Sequence, residues 1–360
     1  MIDWKYGNLK ERFLTAINHG QPDAVPLFDS LDDSHVMTIM NNMHLTAQLR
    51  VACYKKLGFD AIPVKTRSFA KESRHDDRSR LVVIDEWKRR YVYTEPQIKF
   101  YSGGAIDAQD LTNYEWPNPD NPERYAELRE VTRHAGEELS VVGIVGGPFE
   151  RSVLGFGFDH FLPMLLREDR VALEYMRKVR DYWLEVGKRE FEIGVDAIMI
   201  TDDYAFKHGP FFSPKLFERL ILPLLREEVR GFKKLGVPVI HHSDGNISLL
   251  LPLLLDAGID AIQSIEPTAG MDIGKVKREY GGRLALVGNI DSGILLSFGT
   301  PNEVEETVIR TMSEAAPGGS YVLSSSNSLH YGCKLENIRT MLAAGKKYGV
   351  YPRLTKEDRE

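Results

Sequence analysis

Residues 237–246 read Val-Pro-Val-Ile-His-His-Ser-Asp-Gly-Asn, an apolar run typical of a buried β-strand that ends in two imidazoles, a carboxylate and an amide. Four other apolar runs end in similar polar segments, at 200–204, 263–267, 288–291 and 324–328. A helical pattern follows most of them, and this alternation predicts a parallel sheet. In a closed parallel barrel the carboxyl ends of the strands share one rim, where such barrels carry their active sites. The sequence therefore predicts an enzyme site with a metal at that rim.

The alternation extends over almost the whole chain and predicts an α/β protein with a (β/α)8 barrel fold. The eight predicted strands are 25–28, 59–64, 141–145, 197–200, 237–240, 261–265, 284–287 and 321–323. We expect a single barrel domain over residues 1–354, with a helical extension at 8–18 before the first strand. Approximately residues 81–101 interrupt the alternation of strands and helices, and they predict an inserted β-hairpin or meander over the barrel. Residues 355–360 form a charged tail.

The composition excludes several classes of function. The 360-residue chain has a formal net charge of −6 and no block of lysine and arginine, which argues against a nucleic-acid partner. No apolar run approaches the roughly 18 residues of a membrane helix, and residues 1–12 lack the apolar core of a signal peptide. Two cysteines, Cys53 and Cys333, exclude a disulfide framework and fit a reducing cytoplasm. We expect a cytoplasmic enzyme with a small-molecule substrate, and a homodimer stays open.

The candidate metal ligands are His242, Asp244 and Asp203. His242 and Asp244 lie two residues apart at a strand end, so both side chains face the same side. Asp202 and Asp203 end the strand before, and adjacent carboxylates raise each other's pKa unless a cation lies between them. The catalytic candidates are Asp202, Asp203, Tyr204 and His242. The structural alternatives are a helix-capping Asp244, turn aspartates in solvent, and a Tyr204 that only packs.

Five more residues at strand ends are candidates for binding the substrate: Lys65, Arg67, Glu266, Asp291 and Asn327. Lys65 and Arg67 follow the second strand and carry the positive charge that a substrate carboxylate requires. The other three end the sixth, seventh and eighth strands. Each has a structural alternative, and Asp291 in particular is well placed to cap the turn that follows it.

Several segments together resemble the uroporphyrinogen decarboxylase superfamily. They are Gly147-Pro148-Phe149-Glu150-Arg151, residues 194–214, 238–246 and 284–291, and Glu336-Asn337-Ile338. The likeness covers nearly the whole chain, including the Asp85-Glu86-Trp87 hairpin. It implies a (β/α)8 barrel and a cytoplasmic enzyme with one of two chemistries. One is cofactor-free decarboxylation of a tetrapyrrole; the other is methyl transfer to or from a corrinoid, with a zinc ion that activates the methyl donor or acceptor.

The chain departs from the decarboxylase pattern of that superfamily at two places. The arginine-rich stretch after the first strand corresponds here to residues 25–36, which contain no arginine and three aspartates. The catalytic aspartate after the second strand corresponds approximately to Lys65 or Arg67. Acidic groups at the first strand would repel the carboxylates of a tetrapyrrole, so the resemblance is closer to the corrinoid-dependent methyltransferase branch.

The chain also departs from that methyltransferase branch. The His-x-Cys-Gly motif after the fifth strand reads His242-Ser243-Asp244-Gly245, and a cysteine after the eighth strand is replaced by Asn327. Thiolate ligands suit a zinc ion that activates a thiol acceptor. An oxygen-rich site of zinc or another divalent ion suits polarising an ether or an amine. The resemblance then implies demethylation of an O-methyl donor, such as a methoxy-aromatic compound, with transfer of the methyl group to a corrinoid protein.

Two alternatives stay open from the sequence. The first is a metal-free decarboxylase or lyase, with Asp202 or Asp203 as the acid and Lys65 or Arg67 as the partner of a substrate carboxylate. The second is a non-catalytic module that binds a corrinoid or a tetrapyrrole. Metal analysis separates the first from the methyltransferase, and turnover with a methyl donor separates the second.

Overall fold

The computed structural model describes residues 8–95, 98–106 and 111–351. Seven parallel strands form one curled sheet in the order β1-β6-β7-β10-β11-β12-β13, and β2 to β5 form a separate antiparallel sheet. This architecture confirms the predicted α/β barrel class. The strands in chain order are β1 (Ala61–Lys65), β2 (Ala70–His75), β3 (Leu81–Asp85), β4 (Arg89–Glu95), β5 (Ile98–Gly104), β6 (Ser140–Gly146), β7 (Ala197–Thr201), β8 (Ala205–Phe206), β9 (Gly209–Pro210), β10 (Val239–Ser243), β11 (Ala261–Ser264), β12 (Ala285–Ile290) and β13 (Tyr321–Ser325).

A short segment at residues 24–31 lies between β13 and β1 and closes the ring. Leu27 forms a parallel bridge to Leu323, and Phe28 forms one to Ala61. The predicted first strand is therefore present as isolated bridges and not as a regular strand. Pro26 has no N–H to donate, so it contributes only its carbonyl, which accepts from the N–H of Leu323 at 2.9 Å. We call this segment the seam of the barrel.

Buried carboxylates hold the seam in place. Asp29 accepts from the N–H of Ser325 at 2.6 Å and so joins the seam to β13. Asp60, just before β1, accepts from the N–H of Leu27 at 2.7 Å and pairs with Arg12 at 2.7 Å. Burial raises the pKa of Asp29 to about 7. Because these carboxylates have strong donors, they replace part of the hydrogen bonding that a regular strand would provide.

The helices surround the sheet. Helix α1 closes the amino-terminal end of the barrel, because Phe13, Ala16 and Ile17 pack against the inward-facing side chains of the strands. In chain order the helices are α1 (Leu9–Ile17), α2 (Asp33–Met40), α3 (Ala47–Leu57), α4 (Ala126–Ala135), α5 (Pro148–Phe156), α6 (Phe158–Leu166), α7 (Arg170–Ile193), α8 (Pro214–Leu216), α9 (Leu222–Lys233), α10 (Leu251–Ala257), α11 (Ile273–Tyr280), α12 (Leu295–Phe298), α13 (Pro301–Ala315) and α14 (Leu335–Tyr348).

One predicted helix differs in detail from the structure. The sequence predicts a continuous helix over residues 213–235, with Ser213 as its N-cap. Ser213 does cap α8, where its hydroxyl accepts from the N–H of Leu216. A π-helical turn over Phe217–Ile221 then separates α8 from α9. Pro223, near the start of α9, lacks an N–H for a regular α-helical bond, which accounts for a break at this point.

The inserted sheet is larger than the predicted hairpin at 81–101. It contains four antiparallel strands from Ala70 to Gly104 in the order β2-β3-β4-β5. Trp87, in the turn between β3 and β4, is buried and stacks on Trp183 of α7 with ring centroids 6.2 Å apart. The pair of Arg89 and Asp85, 2.6 Å apart, is largely buried in the same place. These contacts fix the insert against the barrel. The predicted charged tail, 355–360, lies outside the described residues.

Helix α7 carries a buried glutamate that has no ion-pair partner within the described part of the chain. Glu190 is fully buried, and neither of its carboxylate oxygens has a hydrogen-bond partner among the described residues. It packs against Gly143 of β6, where a Cβ atom would lie 2.2 Å from Glu190 Oε2. Burial alone raises the pKa of Glu190 to about 8. Glycine at position 143 therefore leaves room for a carboxyl group that is protonated at neutral pH.

Among the helices in the described ranges, none combines the length and the apolar character that crossing a membrane requires.

Candidate metal site at the barrel mouth

The carboxyl ends of the strands form a mouth into which alternate side chains point. Ala61, Val142 and Ala197 belong to the inner cluster, so strand alternation directs Lys65 and Thr201 inward as well. A cavity of about 820 Å³ opens at the β1 and β6 side of this mouth. Its lining residues are Ser30, Leu31, Asp32, Asp33, Ser34, Arg50, Pro63, Val64, Lys65, Phe100, Glu127, Ile144 and Tyr331.

Asp203, His242 and Asp244 come together at the ends of β7 and β10, on the other side of the mouth. One ligand atom from each lies within 4.8 Å of the other two, and His242 Nε2 is 3.7 Å from both Asp203 Oδ1 and Asp244 Oδ1. Ligands about 2.1 Å from a tetrahedral zinc ion lie about 3.4 Å apart. The three side chains are partly exposed, at 33%, 14% and 30% respectively. We call this cluster the triad, and its donor set fits zinc or another divalent ion.

Neighbouring residues fix the orientation of the triad. Gln263 accepts a hydrogen bond from His242 Nδ1 through Oε1, which leaves Nε2 directed at the two carboxylates. Asp244 Oδ1 accepts from the Ser264 hydroxyl at 3.0 Å, and Asp203 Oδ1 accepts from the N–H of Asp244 at 2.8 Å. Such outer hydrogen bonds set the tautomer and direction of metal-binding side chains. The second ring nitrogen of His242 is thus held free for a ligand.

The electrostatics of the triad favour a bound cation. Burial lowers the pKa of His242, but the carboxylates of Asp244 and Asp203 outweigh it and the net pKa is raised. Burial and the nearby Asp244 raise the pKa of Asp203. Two carboxylates at this distance repel each other unless a positive charge lies between them. The adjacent His241 points away from the mouth into the core, where burial lowers its pKa to about 3 and keeps it neutral.

Asp202 and Tyr204 lie behind the triad and not in the mouth. Both are fully buried, and the Tyr204 hydroxyl donates to Asp202 Oδ2 at 2.7 Å. Asp202 also accepts from the N–H groups of Phe149 and Glu150, at 3.2 and 2.5 Å, which are in the first turn of α5. This is the hydrogen bonding of a helix cap provided by a distant residue. The position of both side chains therefore suits holding α5 and β7 together more than contact with a substrate.

The other predicted substrate residues on this rim have structural partners. Asn327 donates to Asp244 Oδ2 and so belongs with the triad. Glu266 accepts from the N–H of Gly245 at 2.9 Å and supports the loop after β10. Asp291 accepts from three N–H groups of the following turn, those of Gly293, Ile294 and Leu295. The structure brings Asn327 to the triad, while Glu266 and Asp291 support the loops around it.

The two basic candidates have different positions. Lys65 points into the mouth and lines the cavity there. Arg67 is exposed, and its guanidinium lies over the ring of Phe69, 5.3 Å from the centroid. The backbone N–H of Arg67 donates to the backbone carbonyl of Arg124 at 3.0 Å. The structure thus places Lys65, and not Arg67, where a substrate in the cavity can be reached.

Four residues near the triad were missed as site residues by the sequence interpretation: Gln263, Ser264, Glu150 and Arg151. Gln263 and Ser264 lie within one of the polar strand ends, which was the available signal. Glu150 interacts electrostatically with Asp203 and His242, and burial is the main reason that its pKa is raised. The sequence signal for Glu150 was weaker, because residues 147–151 stood out only through their resemblance to a known family.

Comparison with known proteins shows the family of this chain. The family model described as Uroporphyrinogen decarboxylase (URO-D) matches residues 95–348, which is more than half of the chain. The chain belongs to the uroporphyrinogen decarboxylase family. Among its relatives, the uroporphyrinogen decarboxylase of Mannheimia succiniciproducens is 23% identical over 250 residues, 66% of this chain and 68% of that protein. The one from Chlorobaculum tepidum is 25% identical over 209 residues, 55% and 57% of the two chains.

Solved structures show that this family member shares its fold with methyltransferases. A methyltransferase from Methanosarcina mazei superposes with a TM-score of 0.76 at 18% identity, over 95% of this chain and 99% of that one. A B12-independent methionine synthase from Shewanella sp. W3-18-1 gives a TM-score of 0.50 at 14% identity, over 91% and 93% of the chains. At these identities the likeness shows the barrel fold alone.

Proposed function

We propose that this member of the uroporphyrinogen decarboxylase family is a metal-assisted methyltransferase. It would move a methyl group from a small O-methyl donor, such as a methoxy-aromatic acid, to a corrinoid carried by a partner protein in the cytoplasm. The observation that carries the proposal is the triad Asp203, His242 and Asp244. Hydrogen bonds from neighbouring residues orient its side chains and leave Nε2 of His242 available as a metal ligand. The likeness to the Methanosarcina mazei methyltransferase supports a fold suited to this role.

The donor set of the triad favours an ether over a thiol as the group that is activated. Oxygen and imidazole ligands suit harder divalent ions than thiolates do. A divalent ion bound there would act as a Lewis acid toward the ether oxygen of the donor. Gln263 and Ser264 hold the ligands in place. Direct displacement at a methyl carbon depends on such fixed geometry.

Lys65 is the proposed partner of a substrate carboxylate. It lines the cavity at the β1 side of the mouth, and the triad lies at the ends of β7 and β10; the proposed binding mode directs the carboxylate of a small aromatic acid to Lys65 and its ether oxygen to the triad. The lining near the seam carries Asp32 and Asp33, of which Asp33 pairs with Arg50 at 2.7 Å. Lys65 can pair with one substrate carboxylate, whereas the many carboxylates of uroporphyrinogen would also meet these acidic groups. The lining therefore favours a small donor.

The test combines metal analysis with a methyl-transfer assay. Purified protein should hold about one zinc or similar divalent ion per chain. His242→Ala should lose this ion with little change in the free energy of unfolding, because a residue at the rim contributes little to the core. The matched control is His208→Ala, which removes an exposed imidazole of the nearby β8–β9 turn. Methylation of a reduced corrinoid protein is followed by absorbance with methoxy-aromatic acids and methylamines as donors.

Three outcomes decide between the candidate functions. Methyl transfer that is lost in His242→Ala and kept in His208→Ala supports the proposal. Activity in protein that holds no metal would remove the metal from the mechanism. Release of carbon dioxide from a carboxylated substrate, with no methyl transfer from any donor, would show a decarboxylase instead. Lys65→Met should raise the KM for an acidic donor more than it lowers kcat.

A further inference from the structure

Arg151 occupies the rim beside the triad, although no step described so far uses it. It belongs to the first turns of α5, and its side chain folds back over Gly146 at the end of β6. A Cβ atom at position 146 would lie 2.2 Å from Arg151 Nε, so glycine is needed for this conformation. Arg151 Nη2 donates to the hydroxyl of Thr201 at 2.8 Å. Thr201 ends β7 two residues before Asp203, and the positive charge of Arg151 acts to lower the pKa of Asp203, so the guanidinium lies within electrostatic reach of the triad.

The guanidinium has more donors than partners. A guanidinium has five N–H donors, and among the described residues only Thr201 accepts a hydrogen bond from that of Arg151. Its Nε is buried and has no partner in that part of the chain. Glu150 Oε2 is 4.0 Å from Nη2, which is too far for a hydrogen bond. Because buried N–H groups rarely stay unpaired, a cation in this state is suited to receive an anion.

Carboxylates of the described residues lie near Arg151 without accepting a hydrogen bond from it. Its charge acts to lower the pKa values of Glu150, Asp203 and Glu228, and the distance to Glu150 is 4.0 Å. The Arg151 side chain is 18% exposed, and the guanidinium carbon lies 5.7 Å from the centroid of the Trp183 ring. Stacking on an aromatic ring fixes the plane of the guanidinium and leaves its edge available for hydrogen bonds. In a partly buried site such donors stabilise a negative charge more strongly than in water.

We propose that Arg151 is a further catalytic residue that stabilises the negative charge on the leaving oxygen of the methyl donor. The inference rests on the proposed function. In that reaction the reduced corrinoid of the partner, as co-substrate, provides the electron pair that forms the bond to the methyl carbon. The bond between methyl carbon and oxygen breaks, and its electron pair passes to the oxygen as a phenolate. Lys65, on the β1 side, binds the carboxylate, so the two basic residues have separate tasks.

A kinetic experiment separates this role from a structural one. Donors are methoxybenzoates with ring substituents that change the acidity of the phenol released. Arg151→Met should lower kcat by about 10²- to 10³-fold, the range found when one donor to a developing oxyanion is removed, with little change in KM. The loss should be largest for the least acidic phenols, so the rate of the variant should depend more steeply on phenol acidity. Arg151→Lys should recover only part of the rate.

The matched control is Arg180→Met on α7. Arg180 is similarly buried, at 12% exposure, but pairs with Asp181 and Glu227 in the outer layer. It should leave the dependence on phenol acidity unchanged. An equal loss of kcat for all donors in Arg151→Met, parallel to a loss in Arg180→Met, would overturn the inference, because it would show a structural effect only.

A binding measurement keeps the inference distinct from the proposed function. The probe is 4-hydroxy-3-nitrobenzoate, whose phenolate absorbs visible light, titrated on the full-length protein before and after metal chelation. Bound to wild type, its phenol pKa should fall by about one unit or more, as expected beside a fixed cation. Arg151→Met should abolish the shift that persists after chelation. If the Arg151-dependent shift of the phenol pKa occurs without any methyl transfer, the proposed methyltransferase function is wrong. Binding of the phenolate anion by Arg151 is then still confirmed. No shift in wild type, or an equal shift in Arg151→Met, would overturn the inference.

Discussion

The buried Glu190 makes a quantitative prediction about the dependence of stability on pH. In the folded protein burial raises its pKa to about 8, whereas an unfolded chain has the ordinary glutamate value near 4.5. Between these two values unfolding releases a proton from Glu190. The stability that this group contributes is therefore present below the unfolded pKa and is lost as the pH rises toward the folded pKa.

The magnitude follows from the size of the shift. Each pKa unit corresponds to about 1.4 kcal/mol, so the unfolding free energy should fall by up to about 1.4 kcal/mol per pH unit in this window. From about pH 5 to about pH 8 the loss from Glu190 sums to roughly 3 kcal/mol. Glu190→Gln removes the titration. Its amide also lacks partners, but that cost of about 1–3 kcal/mol does not depend on pH.

The assay is urea unfolding of wild type and Glu190→Gln, followed by tryptophan fluorescence and circular dichroism at several pH values from about 5 to 8. The free energy of the variant minus that of wild type should rise by roughly 3 kcal/mol across this range. Glu192→Gln is the control, because Glu192 lies on the same helix at 58% exposure and pairs with Arg189, so its effect should stay within about 0.5 kcal/mol. A difference that stays constant with pH would refute the assignment of Glu190 as a protonated buried acid.

Three further predictions concern the proposed metal site and its surroundings. Gln263→Leu removes the partner of His242 Nδ1 and should weaken metal binding by about 10- to 100-fold, as measured by competition with a chromogenic chelator. Asn327→Ala removes a donor to Asp244 and should also lower metal affinity, by less than Gln263→Leu if the imidazole is the principal ligand. Gly146→Ala places a Cβ atom 2.2 Å from Arg151 Nε; it should displace this flexible side chain and lower kcat without lowering metal content, whereas loss of bound metal would show that β6 itself has shifted.

The barrel could be predicted from the sequence because each strand is a buried apolar run between turns. The first strand was over-predicted: Val25 to Phe28 has the right composition, but Pro26 limits it to isolated bridges. Helix α5 was missed for a physical reason. Gly146 and Gly147 directly precede the helix, and two glycines are typical of a tight turn. The carboxylate that caps the helix belongs to Asp202, which is distant in sequence. No local pattern carries that information.

The triad was predictable because His242 and Asp244 lie two residues apart, and strand alternation places both on the same face. The same rule separates neighbours, so Asp203 faces the mouth while Asp202 lies buried behind it. The role of Gln263 depends on register, because it lies directly opposite His242 in the pairing of β10 with β11. A one-residue slip would direct it to the other face. The sequence therefore named the ligands of the proposed site better than it named their supports.

The position of the seam has a consequence for how the mouth can change width. Counted around the ring, β7 and β10 lie on the side opposite the seam, and they are hydrogen-bonded neighbours. The seam is joined by isolated bridges and by the buried carboxylates of Asp29 and Asp60 in place of a continuous strand ladder, so slow breathing of the barrel should occur there first. Such breathing would admit or release an aromatic substrate, while the distances between the ligand atoms of the triad stay constant. Amide exchange should therefore be faster at residues 24–31 than along β7 and β10.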